Sequence, residues 1–227
     1  MYGSGGFLSY SIDEMVKEAQ GFIDQGCRHY KMKIGRPDMA LDIQRVRDVR
    51  RALGDDIALM VDVNQRWSVA QNLRAARKLE DLDLFWYEEP VIADSAAQCA
   101  EVARGTSLPI ATGENEATRF GFRDLIDHRA ASFLQPDVHR CGGIGEIMRI
   151  SHLAAAYDIP IAPHLAPELS VSIVASIPNG SLVEWIAGWP AELWRDPPRI
   201  VDGHMIPPSR PGHGVEFSAD AIKRFTV

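Results

Sequence analysis

Cysteines are scarce in this sequence and follow no paired pattern. Cys27, Cys99 and Cys141 lie far apart, without CxxC spacing, so we interpret them as free thiols in a reducing compartment. No apolar run approaches the ~18 residues that a membrane span requires. Residues 1–10 lack the basic and apolar regions of a signal peptide. We therefore expect a cytoplasmic protein without a membrane partner.

Positive charge is also in short supply. The sequence holds 24 Lys and Arg against 31 Asp and Glu, a formal net charge of −7 at pH 7, and no basic cluster. This balance argues against a surface that binds nucleic acid. The 227 residues, 46% of them hydrophobic, are enough for one barrel domain with a sizeable core.

Short apolar segments alternate with segments of helical spacing along most of the chain. Residues 57–61 and 84–87 are continuous apolar runs, typical of strands that are buried on both faces. Ile43, Val46 and Val49 recur with the spacing of a helix that buries one face. The pattern predicts strands at 7–9, 30–34, 57–63, 84–88, 109–113, 132–136, 159–163 and 181–186.

Eight strands separated by helices predict a closed α/β barrel rather than an open doubly wound sheet. Because no clear helix follows the eighth strand, we expect a modified TIM barrel of the (β/α)7β type. We expect a single domain over 1–227, with the barrel at about 3–187. The remaining segment, 188–227, is rich in Pro and Gly and is interpreted as an ordered tail that wraps the barrel.

Polar residues follow most of the apolar runs directly, where a parallel barrel places its ligands and catalytic groups. They are Lys31, Lys33, Asp62, Asn64, Glu88, Glu114, Asp137, His164 and Glu184. The intervals from Asp62 to Glu88 and from Glu88 to Glu114 are both 26 residues. Three carboxylates at one mouth would repel each other, and a hard cation such as Mg²⁺ would remove that repulsion. The alternative is that each is a surface acid at the start of a loop.

Seven short motifs in this order resemble those of the enolase superfamily. The segments 30–33 (YKMK), 61–64 (VDVN), 87–90 (YEEP) and 113–115 (GEN) are similar to its KxK, DxN, EEP and GEN motifs. The segments 136–137 (PD, followed by GG at 142–143), 163–165 (PHL) and 183–185 (VEW) resemble the Asp–His dyad and the last-strand glutamate of its mandelate racemase subgroup. The resemblance runs from about residue 3 to the C-terminus.

The resemblance implies a role for each of these residues. Asp62, Glu88 and Glu114 would bind Mg²⁺, which would hold a substrate carboxylate and stabilise the enediolate formed when the α-proton leaves. Lys33 would be the base on one face of the substrate. Lys31 would lower the pKa of Lys33 and bind the carboxylate. Without the metal site, this KxK motif would be read as a solvated strand end.

His164 would be the base on the opposite face, oriented by Asp137. Glu184 would share a proton with the substrate carboxylate, and its apolar neighbours would keep it protonated. Contacts to the metal ligands or to the substrate are expected from Asn64, Glu89, Asn115 and His139. For His139, an exposed loop histidine is the simpler interpretation.

The residue that follows the sixth strand reduces the number of reactions that the resemblance allows. Asp137 stands where the muconate-lactonising subgroup has a lysine, which argues against cycloisomerases and dipeptide epimerases. His164 could help to expel a β-hydroxyl, which converts a sugar acid (an aldonate or aldarate) into a 2-keto-3-deoxy acid. It could instead return the proton to the other face, as a racemase or epimerase of a 2-hydroxy acid does. The resemblance favours the dehydratase, with a small carboxylate as substrate.

The family carries an α+β capping domain before the barrel, and this domain covers the substrate. Here Met1 leads directly into 2–6, which resembles the first barrel strand, so we expect the capping domain to be absent from this chain. An uncovered barrel face would favour a homo-oligomer. It also leaves an alternative of another class, which is a truncated, catalytically inert barrel that binds metal.

Overall fold

The computed structural model describes residues 1–226, and its main feature is a parallel sheet rolled into a barrel. Its strands are β1 (Tyr2–Gly5), β2 (His29–Lys33), β3 (Ala58–Asp62), β4 (Leu84–Glu88), β5 (Ile110–Thr112), β6 (Phe133–Leu134) and β7 (Glu184–Ile186). They lie in the order β6-β5-β4-β3-β2-β1-β7, and every pair is parallel. Single-residue bridges join Ile161 to Leu134 of β6 and to Gly180, which lies four residues before β7. The predicted α/β barrel is confirmed.

Helices connect successive strands. They are α1 (Ile12–Ile23), α2 (Met39–Leu53), α3 (Val69–Leu79), α4 (Ala96–Arg104), α5 (Thr118–Asp127), α6 (Ile144–Ala155) and α7 (Pro167–Ser176). Ser11 and Glu14 form a capping box at the start of α1, and Ser68 and Gln71 form another at the start of α3. Within residues 1–226, no helix has the length and apolar character needed to cross a membrane.

Two of the predicted strands differ from the structure. The first strand is not 7–9, because residues 7–8 form a turn and β1 precedes them. The strand β1 contains glycines and therefore lacks the apolar run that predicts a strand. Glycine is required at position 3, because a Cβ there would lie 2.3 Å from the ring of Phe22. The predicted strand at 159–163 makes only the single-residue bridges at Ile161, because Pro160 and Pro163 have no N–H to donate to a ladder.

The barrel interior below the strand ends is filled by side chains. Tyr2, Met60, Trp86, Ala111 and Ala162 are fully buried and pack together as one layer. The rings of Tyr2 and Trp86 meet edge to face, with their centroids 5.1 Å apart. This layer makes the barrel a packed core rather than a pore, and it forms the floor beneath the strand ends.

The C-terminal segment returns to the beginning of the chain. It contains the antiparallel hairpin β8 (Arg199–Val201) and β9 (His204–Ile206), followed by α8 (Ala219–Phe225). Gly203 at the hairpin turn donates its N–H to the carbonyl of Gln25 and accepts a hydrogen bond from the N-terminal amine of Met1. Met205 packs with Val183 just ahead of β7. The hairpin therefore contacts both ends of the barrel sequence.

Candidate active site

Three carboxylates meet at the carboxyl ends of β3, β4 and β5. Asp62 and Glu88 are the last residues of their strands and are register partners, and Glu114 lies two residues beyond β5. Each offers an oxygen that lies within 4.8 Å of the others, and all three side chains are buried. The structure therefore brings together the three acids that the sequence spacing singled out. We call them the carboxylate triad.

The donor chemistry of the carboxylate triad fits a hard divalent cation. Carboxylate oxygens are the ligands that Mg²⁺ prefers. Oε2 of Glu114 is buried and makes no hydrogen bond to any residue in 1–226, so a lone pair on it is available to a ligand. Burial raises the pKa of Glu88 well above its usual range. The charges of Asp62 and Glu184 raise it further, while Lys31 lowers it. A bound cation would favour the ionised form of such a carboxylate.

Two lysines of β2 lie against these acids. Nζ of Lys31 is 2.5 Å from Oε1 of Glu88 and 3.0 Å from Oε1 of Glu184, and Nζ of Lys33 contacts Oδ2 of Asp62. Burial is the largest effect on Lys33 and lowers its pKa, but the carboxylates of Asp62, Glu88 and Glu184 together outweigh burial and Lys31, so the net shift is upward. Lys31 thus lowers the pKa of Lys33 as expected, although the carboxylates decide the net direction. Burial raises the pKa of Asp62, but Lys33 and Lys31 outweigh it and hold it below its usual range.

His164 and Asp137 form a hydrogen-bonded pair on the other side of the triad. Nδ1 of His164 is 2.8 Å from Oδ2 of Asp137, and Nε2 is 3.4 Å from Oε2 of Glu114. Since an ionised carboxylate only accepts hydrogen bonds, Nδ1 donates to Asp137, and Nε2 is the ring nitrogen that faces the triad. Burial raises the pKa of Asp137, but hydrogen bonds from His164 and from the N–H of His139 outweigh it, so the group stays ionised.

Glu184 lies at the first residue of β7, not after the last strand as predicted. Its Oε1 pairs with Lys31, and its Oε2 accepts the N–H of Leu165 at 2.9 Å. Burial raises the pKa of Glu184, but Lys31 and His164 outweigh burial and hold the pKa well below its usual range. The expectation of a protonated Glu184 is therefore wrong. Its apolar neighbours in sequence do not set its charge, because Lys31 reaches it from across the sheet.

Three of the remaining predicted residues support the triad. Asn64 donates its N–H to Oδ1 of Asp62 at 2.8 Å and its side-chain amide to Oδ2 at 3.0 Å. Glu89 accepts hydrogen bonds at 2.8 Å from Asn115 and from Gln65. Burial and the charge of Glu114 raise the pKa of Glu89 to about 7.

His139 lies at the edge of the site. Its Nδ1 is 3.5 Å from Oδ1 of Asp137, while its side chain is 64% exposed. That exposure agrees with the simpler interpretation, an exposed loop histidine.

Sequence reasoning missed three residues that contact the triad. Nε1 of Trp86 and Nε2 of Gln135 both donate to Oε2 of Glu88 at 2.8 Å. Arg140 donates to the carbonyl of Glu114 at 3.2 Å and to Oδ1 of Asn115 at 2.9 Å. Gln135 follows β6 directly, so the rule of polar residues after strands could have found it. Trp86 lies inside an apolar run, and nothing local marks it.

Residues 14–221 match the family model described as "Enolase C-terminal domain-like". The chain belongs to this family. The resemblance to the enolase superfamily, drawn from the seven motifs, is confirmed.

Similar proteins include dehydratases, a cycloisomerase and a racemase. The chain is 37% identical over 223 residues to L-talarate/galactarate dehydratase of Salmonella typhimurium, covering 98% of this chain and 56% of that protein. It is 34% identical over 227 residues to 3,6-anhydro-alpha-L-galactonate cycloisomerase of Streptomyces coelicolor, covering 100% and 63%. The argument from Asp137 against cycloisomerases is therefore not supported, since a relative of that name shares this degree of identity.

Solved structures agree with this assignment. L-talarate dehydratase from Polaromonas sp. JS666, complexed with Mg and L-glucarate, matches with a TM-score of 0.92 and 40% identity, over 98% of this chain and 62% of that one. A racemase from Streptomyces coelicolor A3(2) with bound magnesium matches with a TM-score of 0.94 and 34% identity, over 100% and 63%. The chain thus spans about 56% to 63% of the length of these proteins.

Proposed function

We propose that this protein binds Mg²⁺ through Asp62, Glu88 and Glu114 and removes the proton α to the carboxylate of a sugar acid. Loss of the β-hydroxyl would then give a 2-keto-3-deoxy acid. Support comes from the buried carboxylate triad and from relatives that are named dehydratases of talarate, galactarate, arabinonate and xylonate.

The observation that carries the proposal is the pair of bases at the two ends of the triad. Lys33 contacts Asp62, and Nε2 of His164 lies 3.4 Å from Glu114. A carboxylate substrate that binds at the triad would therefore meet one side chain able to carry a proton on each side. A site that only holds a metal needs neither Lys33 nor the Asp137–His164 pair.

Each side chain has a definable task in this reaction. When bound, Mg²⁺ stabilises the negative charge that develops on the substrate carboxylate as the α-proton leaves. Lys33 must first release the proton that its contact with Asp62 stabilises, and its neutral amine then takes the α-proton on Nζ. His164, protonated on Nε2 and supported by Asp137, donates a proton to the departing β-hydroxyl, which leaves as water. The enol that remains takes up a proton at carbon 3 and releases the proton of its 2-hydroxyl, which gives the 2-keto acid. Lys31 places a fixed positive charge beside the substrate carboxylate.

Two alternatives use the same residues. A racemase or epimerase would deliver a proton from the second base to the opposite face, and one structural match is named a racemase. A cycloisomerase would expel an internal ring oxygen instead of a hydroxyl, and one relative carries that name. An inert metal-binding barrel is the alternative without turnover.

Proton exchange in D₂O with Mg²⁺ distinguishes these alternatives. L-talarate, galactarate, arabinonate and D-xylonate would be followed by NMR, together with a colorimetric test for 2-keto acids. A keto acid supports the dehydratase, and exchange or epimerisation without a keto acid supports the racemase. If none of the acids exchanges its α-proton, the inert barrel is favoured. The variants Lys33→Met and His164→Asn serve as controls, since each removes one base.

A further inference from the structure

A buried ion pair on α2 lies behind the loop that carries Lys33. Asp42 is fully buried, Arg45 is 5% exposed, and Nη1 of Arg45 is 3.1 Å from Oδ1 of Asp42. Desolvation largely offsets the attraction within such a pair, so its net contribution to stability is small. Its contacts with the backbone are therefore the informative feature.

Arg45 joins the carboxyl ends of two neighbouring strands. Its Nη1 donates to the carbonyl oxygen of Lys33 at 3.2 Å, and its Nη2 donates to that of Phe7 at 3.1 Å. Lys33 is the last residue of β2, and Phe7 follows β1. One guanidinium thus fixes the backbone at Lys33 relative to the loop beside it.

Asp42 holds the turn that follows Lys33. Its Oδ2 accepts the N–H of Gly35 at 2.8 Å and the N–H of Arg36 at 2.6 Å. Gly35 has a φ of +113°, and a Cβ there would lie 2.7 Å from the carbonyl oxygen of Val63. The chain after Lys33 is therefore turned tightly against the loop that follows Asp62.

We propose that Asp42 and Arg45 are positioning residues that aim Lys33 at the substrate. This inference rests on the proposed role of Lys33 as a base. A lysine side chain is long and flexible, and a misplacement of about 1 Å can cost about a hundredfold in rate. Fixing the backbone on both sides of Lys33 limits where Nζ can reach. The effect is one-sided, because His164 is held by Asp137 and not by this pair.

The same helix offers a matched control. Arg50 is also buried, and it donates to four carbonyl oxygens, those of Gly54, Ile57, Leu82 and Asp83. Ile57 directly precedes β3, so these contacts lie at the end of the barrel away from the triad. Arg45→Lys and Arg50→Lys both keep the positive charge and remove the guanidinium hydrogen bonds. Only Arg45→Lys removes hydrogen bonds to the backbone at Lys33.

Exchange of α-protons in two single-base backgrounds separates positioning from general damage. In His164→Asn, exchange of a mixture of L-talarate and galactarate in D₂O depends on Lys33. In Lys33→Met it depends on His164. We expect Arg45→Lys to slow the exchange that depends on Lys33 by about tenfold or more, through kcat rather than KM. The exchange that depends on His164 should keep its rate. Arg50→Lys should not distinguish the two backgrounds. An equal loss of exchange in both backgrounds with Arg45→Lys overturns the proposal.

Amide hydrogen exchange decides the matter without turnover. Arg45→Lys and Asp42→Asn should speed the exchange of the amides at 34–38, while those at 164–168 keep their wild-type rates. Unchanged exchange at 34–38 would contradict the proposal. The wild-type protein could also fail to exchange the α-protons of L-talarate and galactarate while the amides at 34–38 behave as expected. The proposed function would then fail, but Asp42 and Arg45 would still be shown to fix the loop after Lys33.

Discussion

Lys31 and Glu184 form a buried ion pair that joins β2 to β7 across β1, with Nζ 3.0 Å from Oε1. Neither side chain is more than 2% exposed. The same ammonium lies 2.5 Å from Glu88 of the triad. Lys31 is thus a buried cation in the floor of a site that is rich in carboxylates.

Replacing this cation should destabilise the protein. Lys31→Met leaves Glu184 and Glu88 without their closest positive partner, and we expect the free energy of unfolding to fall by about 3 kcal/mol. Denaturant unfolding measures the change. Added Mg²⁺ should restore part of it, since a cation at the triad compensates the same charges. Adding Glu184→Gln to Lys31→Met should also recover stability, and failure of both rescues would show that the loss is one of packing.

Removing one carboxylate of the triad should weaken Mg²⁺ binding. We expect Glu114→Gln to lower the affinity by about tenfold or more in calorimetric titration. Mg²⁺ should also raise the melting temperature of the wild type, because it binds the folded state, and this increase should shrink in the variant. Glu101→Gln, on the exposed face of α4, makes the same change of charge and should bind as the wild type does. Equal affinity of Glu114→Gln and the wild type would remove Glu114 from the metal site.

Breaking the Asp–His pair should affect one base only. Asp137→Asn removes the carboxylate that orients Nδ1 of His164 and supports its protonated form. Exchange that depends on His164 should therefore fall by about a hundredfold or more. Exchange that depends on Lys33 should persist in Asp137→Asn. Proton NMR of the α-protons in D₂O follows both, and equal loss of the two activities would argue against separate bases.

Acid stability should depend on Glu146 of α6. Its carboxylate accepts the N–H and the guanidinium of Arg119, and Arg149 also donates to it. Hydrogen bonds from the Arg119 backbone outweigh the smaller effect of burial, and with Arg149 they hold the pKa of Glu146 below its ordinary value of 4.5. Since the folded-state pKa is the lower one, the stabilisation is present above pH 4.5 and is lost as the pH falls through the folded-state value.

Thermal melts of Glu146→Gln test this dependence. The variant should melt below the wild type at neutral pH, and the difference should narrow as the pH falls below 4.5. Asp127→Asn, at an exposed end of α5, is the matched control and should show no such convergence. A constant difference across this range would assign the effect to packing.

The sequence predicted most of the sheet and the acids at its mouth, because both follow from local patterns. A run buried on both faces ends where a polar residue begins, and this places Asp62 and Glu88 without any tertiary information. The same rule failed for β1, where Gly3 gives no apolar signal and is needed only because Phe22 packs against it. The same rule predicted a strand at 159–163, but only Ile161 makes bridges, because the neighbouring prolines have no N–H to donate to a ladder.

Charge states were less accessible to prediction because they depend on contacts across the barrel. The net pKa shift of Lys33 depends on carboxylates of three other strands, and that of Glu184 depends largely on a lysine two strands away. The hydrogen bond from Trp86 to Glu88 is equally non-local in its cause, since it depends on which way a side chain turns inside the barrel.

The indole of Trp86 connects the interior layer of the barrel to the carboxylate triad. Trp86 packs edge-on against Tyr2 in the interior layer and at the same time donates to Glu88. The packing of the barrel interior therefore reaches Glu88, one of the three proposed metal ligands. A substitution that leaves a cavity in this layer, such as Met60→Ala, would remove packing around the indole that donates to Glu88. Apolar residues of the interior layer thus bear on a carboxylate of the triad without touching it.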